Sequence, residues 1–99
     1  MTINKTVENG TLIFALDGRL DTSTAPLLET AIISAFEEAK KIVMDFSSLA
    51  YVSSAGLRIL LNAHKTSKDK GVPMILNNVT EEIMEVFEMT GFSDLLTIE

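Results

Sequence analysis

The stretch YVSSAGLRILL, Tyr51 to Leu61, sets two hydroxyls and a glycine between a segment that reads as strand and one that reads as helix. A serine in that position has two uses. Its oxygen can accept an orphan backbone N–H and cap the helix, contributing ~1 kcal/mol. It can instead carry a phosphate, held by the free N–H groups and the positive end of the helix dipole. By residue type alone, Ser53 and Ser54 each suit either use. Gly56, just beyond them, would let another chain approach the backbone closely.

Other reactive residue types make weaker constellations. His64 is the single histidine and sits inside the same helix, about three turns from Ser54, which is the wrong geometry for a nucleophile and its base. Asp17, Asp21 and Asp45 fall near strand ends and could line a metal or acid–base pocket, although carboxylates alone say little. The glycines follow neither phosphate-loop nor dinucleotide spacing. Cysteine is absent, so there is no thiol nucleophile, thiolate ligand or disulfide. No metal, cofactor or catalytic centre is therefore expected. Glu81, Glu85 and Glu88 read as a solvated helix face, and Met74, Met84 and Met89 as core filler.

The elements that must position the serines emerge from patterning. Asn9-Gly10 suits a tight hairpin turn between strands near 2–8 and 11–17. After Leu20, Ser23 and Thr24 are capping candidates, Pro26 fits a first turn, and Leu28, Ile32, Ala35 and Phe36 recur at helical spacing, predicting a helix over 24–39. KIVMDF at 41–46 is a nearly continuous apolar run, expected of a central strand covered on both faces. A second helix is predicted over 55–70 with Gly71 as its stop, a strand within VPMILNNV, and a third helix over 80–90 between Thr80 and Gly91. LLTIE could add a last short strand. Strand–helix–strand units in this order predict an α/β domain on a mixed, partly parallel sheet of four or five strands with three main helices.

Composition bounds the function. A chain of 99 residues forms one domain, spanning 1–99, with one surface to work with. A net charge of -6, with no aromatic residues interleaved among the basic ones, argues against direct nucleic-acid binding. Nowhere does an apolar run reach the ~18 residues of a membrane span, and MTINKTVENG has no signal core, so no membrane partner and a cytoplasmic location are expected.

Three stretches, LDGRLDTSTAPLL, KIVMDFSSLAYVSSAGLRILL and GVPMILNNVTEEIMEVFEMTGF, resemble the STAS domain of bacterial anti-sigma-factor antagonists along essentially the whole chain. The resemblance implies a STAS-like fold and a partner-switching module. Such an antagonist binds an anti-sigma factor that is also a serine kinase, releasing a sigma factor; the kinase phosphorylates the antagonist, and a serine phosphatase resets it. By position the phosphoacceptor is Ser54, which leaves Ser53 as the cap, its oxygen aimed at the N–H of Ala55 or Gly56. Many relatives carry Asp where this chain has Ser53; serine replaces the cap but not the charge.

The resemblance places Asp21 near the phosphorylation loop, and the crossovers should bring the strand ends beside it to one edge of the domain. The expected partner surface therefore combines Asp21, Thr22, Ser23 and Thr24 with Ser53, Ser54, Ala55, Gly56 and Leu57, and with Arg58 and Asn62 on the exposed face of the second helix. Two other readings stand beside it: an unregulated STAS scaffold in which Ser54 is only a cap, and a small-molecule sensor or enzyme using the pocket around Asp17, Asp21 and Asp45.

Overall fold

A computed structural model describes residues 1–99. In it Asn9 and Gly10 both take positive φ, 49° and 83°, the geometry that joins two strands with the least splay. Strands β1 (Thr2–Glu8) and β2 (Thr11–Leu20) therefore pair antiparallel, Glu8 opposite Thr11 and Thr2 opposite Asp17. Helix α1 (Ala25–Glu38) returns the chain to β3 (Lys41–Val52), and α2 (Ser54–Lys70) returns it to β4 (Met74–Asn77). Both crossovers give parallel neighbours, and the sheet runs β1-β2-β3-β4. Helix α3 (Glu81–Thr90) comes next, and Gly91 turns the chain into a short α4 (Phe92–Leu95).

β3 is an interior strand, as its apolar run predicts, but it is not covered on both faces. Ile42, Met44 and Phe46 are fully buried, whereas Lys41, Val43 and Asp45 are half-buried. β2 shows the same alternation, with Leu12, Phe14 and Leu16 buried and Thr11, Ile13 and Ala15 half-buried. One sheet face thus meets the helices, through Leu28, Ile32 and Phe36 of α1, Leu60 and Ala63 of α2, and Ile83 and Phe87 of α3. Phe46 and Phe87 pack as a tilted aromatic pair with centroids 6.2 Å apart, tying α3 to the central strand. Val43, the one apolar residue on the outer face of this run, joins Ile42 and Met44 into an apolar stretch without a second helical layer.

Two strands run further than their patterns. β2 continues to Leu20 and β3 to Val52, and the β2–β3 register shifts twice, between Ala15 and Asp17 and between Gly18 and Arg19. Each shift inserts an extra residue into β3, so its buried positions change from every second residue to Phe46, Leu49 and Val52. Bulges of this kind bend a strand and re-aim the residues beyond them. At the C-terminus the expected strand shrinks to a single parallel bridge, Ile98 with Leu76, because α4 takes up the residues through Leu95. No helix is long and apolar enough to cross a membrane.

Candidate functional site

The bulged ends of β2 and β3 bring two loops together. Leu20 and Val52 are register partners, and the Ser53 N–H donates to the Leu20 carbonyl at 2.9 Å. The loop after β2 thus lies beside the start of α2. Contact between the two is close enough to need a glycine: a Cβ on Gly56 would stand 2.7 Å from Leu20 Cγ and 3.0 Å from its carbonyl oxygen. The sequence reading gave Gly56 to an incoming partner; the structure corrects this, because the chain's own Leu20 occupies that space. Gly56 and Leu57 are both buried, so they support the surface from below and do not form it.

The two serines part company at the helix start. Ser53 is extended, with φ -88° and ψ 175°, and its side chain accepts the Gly56 N–H at 3.2 Å while its carbonyl accepts Leu57 N–H at 2.9 Å. That is N-cap geometry. Ser54 is the first helical residue, is exposed, and its hydroxyl makes no hydrogen bond within the chain. Arg58 and Asn62, one and two turns further along, are exposed as well, and Ala55 is half-buried.

In the neighbouring loop Asp21 is the organiser. Its Oδ1 accepts from the Ser23 N–H at 3.0 Å, the Ser23 hydroxyl at 2.8 Å and the Thr24 N–H at 3.2 Å. In return the Asp21 N–H donates to Thr24 Oγ1 at 2.8 Å, and that hydroxyl donates to the Arg19 carbonyl at 2.7 Å. This is a reciprocal box one turn ahead of α1. Ser23 and Thr24 are therefore not the side-chain caps of α1 that their types suggested; the helix starts from Thr24 without a side-chain cap and with Pro26 in its first turn. The Ser23 hydroxyl foremost, with the Thr24 donors, holds the Asp21 carboxyl below the ordinary aspartate range against a smaller opposing effect of desolvation. Thr22 and Ser23 are exposed beside it.

Sequence reasoning missed Arg19 and Tyr51. They are register partners across β2 and β3, the guanidinium lies 4.2 Å from the Tyr51 ring centroid, and Arg19 Nε stands 3.9 Å from Asp21 Oδ2. Only the register of the two bulged strand ends could have signalled the pair. The three aspartates, by contrast, do not converge. Asp17 sits exposed opposite Ser48, Asp21 is turned into its own loop, and Asp45 accepts from the Ser47 N–H at 2.9 Å and Asn78 Nδ2 at 3.0 Å. The Ser47 N–H first, then Asn78, lowers the Asp45 pKa. No group of three acidic or histidine side chains is placed to hold a metal ion. The cavity lies elsewhere, between α1 and α2.

A one-sided four-stranded sheet under three main helices, with paired loops at the ends of β2 and β3, defines the class: the chain belongs to the STAS domain family, whose model matches residues 2–99. Among relatives it is 30% identical over 91 residues to BtrV of Bordetella bronchiseptica, which bears the name of an anti-sigma factor antagonist, covering 91% of this chain and 78% of that protein. It is 26% identical over 81 residues to the anti-sigma-B factor antagonist of Bacillus subtilis, covering 82% of this chain and 74% of the relative. The fold matches that of the anti-sigma factor antagonist SpoIIAA in its unphosphorylated form, with a TM-score of 0.82, 20% identity, and coverage of 99% of this chain and 88% of the other. The phosphorylated form of the Bacillus SpoIIAA matches with a TM-score of 0.77 at 20% identity, over 99% of this chain and 91% of the other.

Proposed function

We propose that this protein is an anti-sigma factor antagonist: it binds an anti-sigma factor that is also a serine kinase, frees a sigma factor, and is switched off by phosphorylation of Ser54 and reset by a serine phosphatase. The observation that carries the reading is the division of labour at the start of α2, where Ser53 is used up as the cap and Ser54 presents a free, exposed hydroxyl. The names of the relatives and the existence of SpoIIAA in both phosphorylation states support the same reading.

A phosphate on Ser54 adds about -1.5 to -2 charges at pH 7, and the helix end tolerates or favours it in the isolated domain. Against a partner the same charge must be desolvated or meets acidic neighbours. A loss of only ~3 kcal/mol would weaken binding about a hundredfold, so no large conformational change is required. The binding surface is the exposed part of both loops, Asp21 to Thr24 and Ser53 to Ala55, continued along α2 by Arg58 and Asn62. Intact mass after incubation with an anti-sigma kinase and ATP tests the switch: one added phosphate, lost in Ser54→Ala, supports it, and none with an active kinase that binds the protein marks a scaffold instead.

A further inference from the structure

The cavity of this chain is a groove between α1 and α2, about 70 Å³ in volume, and of the residues on the proposed binding surface only Asn62 lines it. Its floor is apolar: Ile32, Phe36 and Ala63 are buried core residues, and Ile59 is partly buried against the same core. Ile33 stands on the rim with 58% of its surface exposed. Glu29, one turn before it on α1, is on the rim too.

Size decides the kind of occupant. Pockets for drug-sized ligands and cofactors run to roughly 300–1,000 Å³. A groove of about 70 Å³ accepts one side chain. Charge decides its neighbour. Of the three glutamates on α1, Glu37 is bridged to Lys70 at 3.1 Å and Glu38 to Lys5 at 3.9 Å, and Glu29 alone has no counter-ion within 4 Å. Position decides where it comes from. Asn62 belongs both to the groove and to the exposed face that leads back through Arg58 to Ser54, so whatever covers that face reaches the groove without a gap.

We infer that the groove seats one aliphatic side chain of the anti-sigma partner, inserted between Ile33 and Ile59, with a lysine or arginine about one turn away on the same partner element paired to Glu29. The identity of the partner rests on the function proposed above; the chemistry of the seat does not. Shape and apolar floor select the aliphatic group, and the unpaired carboxylate selects the cation beside it. The seat also lies about two turns along α2 from Ser54, which lets it supply affinity that phosphorylation opposes locally.

The test has two arms. In the first, methyl NMR of the full chain is titrated with 3-methylbutylammonium and, separately, with its uncharged counterpart 3-methylbutanol. Both should shift the Ile32, Ile33, Ile59 and Ala63 methyls, the alcohol binding about threefold more weakly, the scale of an exposed ion pair, and Glu29→Gln should erase that difference. Shifts scattered away from the groove, or equal affinities in the wild type, would overturn the inference. In the second arm, Ile33→Ser and Glu29→Lys, both at surface positions and checked by the same spectra for an intact fold, are titrated against the anti-sigma factor. Each should lose about tenfold in affinity, as side chains central to an interface do. Ser54→Asp, measured in parallel, separates the two claims. If Ser54→Asp binds like wild type while the groove variants are weakened, the switch fails and the seat stands; if Ser54→Asp is weakened and both groove variants bind like wild type, the seat is wrong and the switch stands.

Discussion

Gly56 of α2 lies so close under Leu20 of β2 that a Cβ there would come within 2.7 Å of Leu20 Cγ and 3.0 Å of the Leu20 carbonyl oxygen. Leu20 is fully buried, and its carbonyl is already held by the Ser53 N–H at 2.9 Å, so neither atom can give way without moving the strand end. The loop carrying Asp21 and the helix start carrying Ser53 and Ser54 are therefore packed directly against each other through Leu20 and Gly56.

Gly56→Ala should accordingly destabilise the fold by about 1–3 kcal/mol, the range for an overpacked core, even though alanine is the better helix former. Denaturant unfolding measures it. A gain in stability would show that the Leu20 contact relaxes freely.

Asp21 gives the fold a pH dependence whose sign is fixed. Its folded pKa lies below the unfolded value of about 3.9, so the stability it contributes is present above pH ~4 and lost as the pH falls through the folded value. Asp45 acts in the same direction. Asp21→Asn keeps an acceptor but removes the charge, and leaves Asp45 untouched. The melting temperature of the wild type should exceed that of Asp21→Asn near neutral pH, and the gap should narrow as the pH falls below the unfolded value and through the folded one. A constant gap across that range would mean that the carboxylate charge takes no part in holding the loop.

Arg58 projects from the exposed face of α2 one turn beyond Ser54 and enters no salt bridge within the chain. Arg58→Glu should leave the melting temperature almost unchanged, since surface charges contribute about 0–1 kcal/mol, and weaken association with the anti-sigma factor. Titration calorimetry on both proteins checks this, and unchanged affinity would move the interface off this face.

The parts of the fold that were legible in the sequence are those where one local rule governs. Asn9-Gly10 announced the hairpin, Gly71 and Gly91 the ends of α2 and α3, and Thr80, whose side chain accepts the Ile83 N–H at 3.4 Å, the start of α3. Ser53 as the cap was implied by resemblance and fits the local geometry. The hidden parts depend on pairing between distant segments. The ends of β2 and β3 could not be read because two extra residues in β3 break its alternation after Phe46, and SSLAYV then looks like loop. The Arg19–Tyr51 stack exists only in that shifted register. Gly56 was assigned to a partner because nothing local reveals that Leu20, thirty-six positions earlier, fills the same space. Asp21 was missed as the organiser of its loop because Ser23 and Thr24 look like equally good caps, and only the directions of their hydrogen bonds, both toward Asp21 Oδ1, decide among them.

The serine pair makes the sharpest prediction, because the two residues are adjacent, chemically identical and assigned opposite duties. Ser53→Ala removes the acceptor of the Gly56 N–H and leaves that donor without its partner at the helix start, so it should lower stability by about 0.5–2 kcal/mol while the kinase still modifies the protein. Ser54→Ala removes an exposed hydroxyl with no internal partner and exchanges serine for a better helix former, so stability should hold or rise slightly. It should accept no phosphate and still bind the anti-sigma factor. Ser54→Asp adds a charge that the helix N-terminus favours, so it should fold at least as well as wild type, yet bind the partner poorly because part of the phosphate charge is now permanent. Folding and binding thus move in opposite directions in Ser54→Asp and separately in Ser53→Ala, which no general loss of structure can imitate. Phosphate transfer to Ser54→Ala at the wild-type rate, together with its loss in Ser53→Ala, would show that the acceptor and the cap are the other way round.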